Sequence, residues 1–171
     1  MEVTLQRQKQ PETLTAFLRQ ENTLALATFD EQGEASVAPL FYIVDEQLSI
    51  FWLSSPSSLH SRNIERTPRA AATVYRQTES WKDICGVQMR GFAETVTEPS
   101  RRAALVKIYR ERFQLGAVFL PAISQCSLYE FRPDFFRYID NSLGFGYKFE
   151  LTPAAPNAAY SNNLPTISSI E

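Results

Sequence analysis

Residues 24–44 read LALATFDEQGEASVAPLFYIV, and this stretch decides the fold class. The alternation in residues 23–29 predicts a strand, and the following DEQG segment at 30–33 predicts a hairpin turn that ends on a glycine. Residues 35–44 predict a second strand. Pro39 interrupts it, which indicates a strand edge, a bulge or a close backbone approach. The stretch is therefore predicted to be a β-hairpin.

Outward from this hairpin, the chain alternates short strands with inserted helices. Helices are predicted after Pro11, after Ser57 and after Pro99. Further strands are predicted over residues 48–53, 70–75, 84–96, 128–131 and 135–139. Because most connections are hairpins, the order favours an antiparallel barrel decorated by helices over a doubly wound α/β fold.

The chain has 171 residues, of which 44% are hydrophobic, so a single domain can bury a core without disulfides. We predict one domain over residues 1–150 and a mobile C-terminal tail over 151–171, which is rich in Pro, Ala, Asn and Ser. The N-terminus has no apolar core of a secretory signal, and no apolar run reaches the ~18 residues of a membrane span. These features predict a soluble, cytoplasmic protein with no membrane partner.

Charge and metal-ligand content exclude two function classes. The net charge is −2 and no basic cluster is evident, which argues against a nucleic-acid partner. His60 is the only histidine, and Cys85 and Cys126 lie far apart without a CxxC pattern. We therefore predict no metal site.

A serine-rich turn followed by a helix start is the first candidate site. Its polar residues are Ser54, Ser55, Ser57, Ser58 and His60. A helix N-terminus offers unpaired N–H groups and a positive dipole end, and the hydroxyls add donors, so the turn is a candidate phosphate cradle. The alternative is a serine-rich turn with an ordinary helix cap, for which Ser57 is the candidate N-cap.

Aromatic and amide side chains on nearby strands form the second candidate. Trp52 and Tyr42 would flank a planar ligand, or else they are core residues of a small barrel. Gln88 would hydrogen-bond the edge of a heterocycle, or else it belongs to an exposed polar strand face.

A glycine-containing loop after residue 139, DNSLGFG, is the third candidate. Its glycines permit a tight turn around a ligand next to Asp140 and Asn141, or else the loop forms a C-terminal hairpin that locks the fold. Hydrolytic catalysis is disfavoured, because a triad would have to use the single His60 and no GxSxG pattern exists.

Taken together, four motifs resemble the FMN-binding split barrels related to pyridoxamine 5′-phosphate oxidase. They are an LATxDxxGxxxxxP hairpin, an SxxHxxN strand-to-helix turn, an NxxRxP helix end and a GVQxxG strand. The segment FRYIDNSLGFGYK at 136–148 resembles more specifically the small, uncharacterised YhbP-like branch. The resemblance covers roughly residues 12–150.

The resemblance implies a mainly β fold, a six-stranded antiparallel split β-barrel of the FMN-binding type. It also implies a homodimer with FMN at the subunit interface. In this reading the serine turn with His60 holds the phosphate, and the strand around Pro39, Leu40 and Tyr42 runs along the isoalloxazine ring. Gln88 lies near the flavin, often that of the other subunit. The resemblance leaves the role of Asp140 and Asn141 open.

The resemblance implies an FMN-dependent oxidoreductase with Trp52 packed near the flavin and with a reduced nicotinamide or another molecule as electron donor. No catalytic acid or base is assigned. Many family members carry two adjacent cations where this chain has Leu59-His60, and the C-terminal segment lacks the Arg and His residues that bind the oxidase substrate. Activity as a true pyridoxamine-phosphate oxidase is therefore not expected. The alternative is a non-catalytic module with the same barrel that binds flavin or haem for storage or sensing.

Overall fold

The computed structural model describes residues 2–153, with side chains from residue 10 onward. The helices are α1 (Glu2–Gln20), α2 (Leu59–Arg66), α3 (Pro99–Arg112) and α4 (Leu120–Ser124). The strands are β1 (Thr23–Phe29), β2 (Ala35–Phe41), β3 (Ile43–Val44), β4 (Ile50–Ser54), β5 (Arg69–Tyr75), β6 (Cys85–Thr95), β7 (Ser127–Asp140) and β8 (Lys148–Leu151). Residues 154–171, most of the predicted tail, lie outside the described residues.

The strands form one antiparallel sheet in the order β2-β1-β5-β6-β7-β4-β3, with β8 paired to the end of β7. A single residue, Tyr42, separates β2 from β3, so the two ends of the strand order are joined in the chain. The sheet is therefore curled, with helices inserted between strands, and the mainly β antiparallel class is confirmed. The count of six strands is not confirmed, because β2 and β3 are separate and β8 is an additional strand.

Proline positions account for three differences from the predicted elements. The strand predicted over residues 35–44 is broken at Tyr42 and not at Pro39, which lies inside β2. β7 is one strand that runs through Pro133, because a register shift between Arg90 and Gly91 accommodates it. A Cβ added at Gly91 would lie 2.1 Å from the Arg132 carbonyl oxygen, so only glycine permits this approach. Helix α1 begins before Pro11, which lies inside the helix.

The core lies inside the curled sheet and beneath α1. β1, β5 and β6 alternate between buried and accessible residues, which gives the sheet a buried inner face and an accessible outer face. A second apolar cluster packs α3 against β3 and β4. Within residues 2–153, no helix combines the length and the apolar character needed to cross a membrane.

Candidate functional site

The serine turn connects β4 to α2, as the sequence predicts, but the helix cap differs. Ser58 is the N-cap, and its side chain accepts a hydrogen bond from the Ser61 amide at 3.4 Å. The prediction that Ser57 caps the helix was wrong by one residue. Ser57 instead pairs with Ser55 through their hydroxyls, which are 2.8 Å apart on the exposed outside of the turn.

Three side chains of the turn converge on one point. The Nε2 atom of His60 is 2.7 Å from the Ser54 hydroxyl and 3.1 Å from the Ser58 hydroxyl. The two hydroxyl oxygens are 3.2 Å apart. Ser54 is the last residue of β4 and Ser58 caps α2, so the turn itself brings them together. The result is a compact set of hydrogen-bonding groups at the start of a helix.

Backbone and charge around this point suit an anion. The amide N–H groups of Leu59 and His60 begin α2 and have no hydrogen-bond acceptor among the described residues. The Arg62 guanidinium folds back and donates to the Ser57 carbonyl, which adds a positive charge beside the turn. Partial burial lowers the pKa of His60 below its usual value, so the ring is mainly neutral at pH 7.

Asn63 anchors this helix and was not singled out as a site residue. Its side chain is buried, and its amide donates to the Thr28 and Ser36 hydroxyls at 3.2 Å each. These contacts tie α2 to β1 and β2. The available signal was the asparagine shared by the SxxHxxN and NxxRxP motifs.

Gln88 and Pro39 lie on the outer face of the sheet in one cross-strand row. Pro39 pairs with Ala25, Ala25 with Thr73, and Thr73 with Gln88. Three strand spacings of about 4.8 Å place Pro39 and Gln88 roughly 14 Å apart within one chain. Gln88 is exposed, and its side chain has no hydrogen-bond partner among the described residues. Leu40 faces the opposite way and packs against the core.

The two candidate aromatic residues are buried in the core. Tyr42 is 1% exposed, and its hydroxyl donates to the Leu18 carbonyl at 2.7 Å. Trp52 is 0% exposed and stacks on Tyr129 with ring centroids 5.6 Å apart. This placement agrees with the alternative interpretation of both as core residues, because neither ring has an accessible face for a ligand.

Asp140 and Asn141 stabilise the loop that follows β7. The Asp140 carboxylate accepts from the Ser142 amide at 3.0 Å, and Asn141 donates to the Trp81 carbonyl at 2.7 Å. The Asn141 side-chain oxygen also accepts from the Gly146 amide at 3.1 Å. These bonds join two loops and agree with the alternative of a segment that locks the fold.

Comparison with known proteins decides the family. A family model described as pyridoxamine 5′-phosphate oxidase matches residues 10–139. The chain belongs to this family. Within it, a UPF0306 protein of Cronobacter sakazakii is 36% identical over 118 residues, which cover 68% of this chain and 78% of that protein. The predicted membership in an uncharacterised branch of the pyridoxamine 5′-phosphate oxidase family is thereby confirmed.

Several solved structures share this fold. HutZ, the haem storage protein of Vibrio cholerae, superposes with a TM-score of 0.61 and 23% identity, covering 72% of this chain and 89% of that one. ChuZ of Campylobacter jejuni has a TM-score of 0.71 and 17% identity, covering 82% of this chain and 58% of that one. At these identities the likeness shows the fold alone.

The groups at the serine turn fit the phosphate end of a flavin mononucleotide. A phosphate monoester accepts hydrogen bonds through several oxygens, and the turn offers two hydroxyls, one imidazole and two free amides as donors. The outer sheet face beside Ala25 and Thr73 carries small side chains, so a planar ring can approach the backbone there. The donor set and these small side chains are both compatible with a flavin, which members of this family often bind.

Proposed function

We propose that this protein binds FMN with its phosphate at the turn between β4 and α2 and acts as a flavin-dependent oxidoreductase. One observation carries the proposal: the hydroxyls of Ser54 and Ser58 converge with His60 Nε2 within 2.7–3.2 Å of one another at the start of α2. Bound FMN would supply hydride or single-electron transfer through its ring system. A reduced nicotinamide is the proposed electron donor.

The chain's own residues bind and orient the cofactor in this proposal. The first amides of α2 donate to the phosphate together with Ser58, whose hydroxyl hydrogen would turn from Ser61 to the ligand, while Ser55 and Ser57 form the outer rim of the turn. The Pro39 segment lines one side of the ring. Tyr42 and Trp52 support the site from the core, where Tyr42 fixes the break between β2 and β3 through its bond to Leu18.

The proposed assembly is a homodimer with the flavin at its interface. Gln88 lies too far from Pro39 within one chain to contact the same ring edge, whereas a second copy can supply it. Large apolar side chains on β2 support an interface here, because Val37 is 66% exposed and Phe41 is 55% exposed on the same face as Pro39.

Dimerisation is tested by sedimentation of the purified protein at micromolar concentration. We expect a dimer for the wild type and a monomer with lost FMN binding for Val37→Glu. Val118→Glu is the matched control, because Val118 is 81% exposed but belongs to the connection between α3 and α4. A wild-type monomer that binds FMN with full affinity would contradict the interface site.

Phosphate binding is expected to take up a proton at His60. Burial lowers the pKa of the free His60 ring, and a bound phosphate favours the charged ring, so binding raises that pKa. FMN affinity should therefore fall as the pH rises from about 6 to 8, by up to tenfold per pH unit for one proton. FMN fluorescence titration of the wild type, His60→Ala and the exposed neighbour control Leu59→Ala measures this. A flat profile in the wild type, or an unchanged affinity in His60→Ala, rules out His60 as a phosphate ligand.

The oxidoreductase activity is tested separately from binding. The visible spectrum of purified protein loaded with FMN is recorded before and after anaerobic addition of NADH or NADPH. Bleaching of the flavin bands faster than for free FMN supports the proposed reaction. If the protein binds no FMN, the proposed reaction is excluded. If it binds FMN that neither nucleotide reduces, FMN binding stands and a reduced nicotinamide is excluded as the electron donor.

A non-catalytic flavin-binding or haem-binding module is the second candidate. It is favoured by the fold shared with HutZ, whose name describes haem storage. In this chain His60 is the one histidine available to a haem iron, and its Nε2 already contacts two serine hydroxyls. Titration with haemin distinguishes the candidates: a sharpened Soret band that His60→Ala abolishes favours haem, and an unchanged haemin spectrum excludes it.

A further inference from the structure

A cavity of about 370 Å³ opens between α2 and the paired ends of β6 and β7. Residues that line it include Ser61, Ile64, Glu65, Thr95, Ser127 and Tyr129. Tyr129 and another lining residue, Ala93, belong to the buried core, so the cavity enters the sheet from its inner side. Gln88 and Pro39 lie on the outer face, so this cavity is separate from the surface proposed for the flavin ring.

Polar groups in the cavity wall are left without partners. Tyr129 is 4% exposed, and its hydroxyl has no hydrogen-bond partner among the described residues. The Thr95 and Ser127 side-chain hydroxyls also have none among the residues that the structure describes. The Ser61 hydroxyl oxygen accepts from Ser58 at 2.8 Å, which leaves its own hydrogen free to donate. Thr95 is exposed and Ser127 is half-buried, so water can satisfy their hydroxyls. The side chain of Tyr129 is almost fully buried, so its hydroxyl is the group that calls for a polar partner within the cavity.

Charge at the cavity selects the ligand class. Two carboxylates line it, and Glu94 is neutralised by Arg132 at 2.6 Å. Glu65 is exposed at the mouth of the cavity and has no ion-pair partner within the described part of the chain, and the described lining residues include no Lys, Arg or His. A negatively charged ligand would therefore be repelled, whereas an ammonium group would be attracted. Ile64 and the Tyr129 ring supply apolar walls beside these polar groups.

We propose that this cavity binds a small primary amine with a compact apolar body. The ammonium group donates to the Glu65 carboxylate and to the free hydroxyl oxygens of Tyr129 and Ser127. The apolar body packs against Ile64 and the tyrosine ring. This site takes a cation, whereas the nearby turn between β4 and α2 offers donors to an anion, so the two would hold different molecules at once.

The test compares three probes of nearly equal size and shape but different charge. Benzylamine, benzyl alcohol and benzoate are titrated separately into ¹⁵N-labelled full-length protein at neutral pH. We expect benzylamine to shift the amide signals of Ser61, Ala93 and Thr95 with at least about tenfold higher affinity than benzyl alcohol. Benzoate should leave these signals unchanged. The absence of benzylamine shifts at these amides, or equal binding of all three probes, overturns the proposal.

Two variants separate the charge from the hydrogen bonds. Glu65→Gln should weaken benzylamine binding at least about fivefold and leave benzyl alcohol binding unchanged. Glu79→Gln, in an exposed loop outside the cavity, is the matched control and should change neither. Tyr129→Phe keeps the ring on Trp52 and should weaken benzylamine about fivefold. If Glu65→Gln leaves the ratio of benzylamine to benzyl alcohol affinity unchanged, the amine assignment is wrong. FMN plays no part in these titrations, so their outcome is independent of the proposed flavin site.

Discussion

Replacement of Asp45 by asparagine should stabilise the protein in a pH-dependent manner. Asp45 follows β3 and is 2% exposed, and its carboxylate accepts from the amides of Gln47 at 3.0 Å and Ser49 at 2.8 Å. These two bonds favour the charged form, but burial outweighs them and the negative charge of Glu130 adds to it. Burial therefore raises the pKa of Asp45 from its ordinary 3.8 to about 6.

The magnitude follows from proton linkage. Below pH 3.8 the Asp45 carboxyl is protonated in both the unfolded and the native state, so it costs no stability. The cost grows as the pH rises from 3.8 to the native pKa of about 6, and it levels off above that value. The gap between the two pKa values corresponds to about 3 kcal/mol at pH 8, at 1.36 kcal/mol for each pKa unit. An asparagine oxygen can accept the same two amide bonds without a charge. Any cost of its buried NH₂ group is the same at every pH, so the pH-dependent part isolates the carboxylate.

The assay is urea unfolding of the wild type and Asp45→Asn at a series of pH values. We expect the difference in free energy of unfolding between the variant and the wild type to increase by about 2 kcal/mol from about pH 4.5 to 8. Most of this increase should occur below pH 6.5. The control is Asp83→Asn, at an exposed position before β6. Its free energy of unfolding should differ from that of the wild type by the same amount at every pH. A difference between Asp45→Asn and the wild type that stays constant over this range would show that the Asp45 carboxylate does not destabilise the native state.

Two further predictions concern the framework around the site. Gly91→Ala should destabilise the protein by at least about 3 kcal/mol in urea unfolding, because its Cβ would meet the β7 backbone at 2.1 Å. Gly116→Ala, where a Cβ meets nothing within 4 Å, should be close to neutral, and equal effects of the two would contradict the close approach. Asn63→Ala should cost about 2 kcal/mol through two lost buried hydrogen bonds and should weaken FMN binding by loosening α2. Arg66→Ala, which removes an exposed ion pair at 3.6 Å, should cost under about 0.5 kcal/mol and leave FMN binding unchanged.

Local patterns in the chain predicted most of the elements. Strand β1, the turn that follows it, the long strand β6 and the helix that begins at Pro99 agree with their predicted residues to within about one position, because alternation, turn residues and proline act over a few neighbouring positions. The strand-to-helix turn was also predicted, apart from the one-residue shift of its cap to Ser58. These features depend on neighbours in sequence, which the sequence lists directly.

Candidate residues for the phosphate turn could be chosen from the sequence for the same reason. The side chains of Ser54, Ser58 and His60 lie within six positions of one another, so a single turn is enough to bring them together. Asn63 was missed because its partners, Thr28 and Ser36, are 35 and 27 positions away in sequence. Contacts across such distances depend on the curl of the sheet.

The sequence alone was sufficient for the mainly β class, the family and most of the order of strands and helices, whereas α4 and β8 were not predicted and β7 was predicted as two strands. Which polar and aromatic residues face solvent became clear from the tertiary fold alone. In the fold Tyr42 and Trp52 are buried, and Gln88 is exposed on the outer face. Strand β7 continues past Pro133 because its backbone lies close to Gly91 of β6. The physical reason is that burial and cross-strand register are set by contacts between segments far apart in the chain, and each such contact forms only when the whole sheet closes around its core.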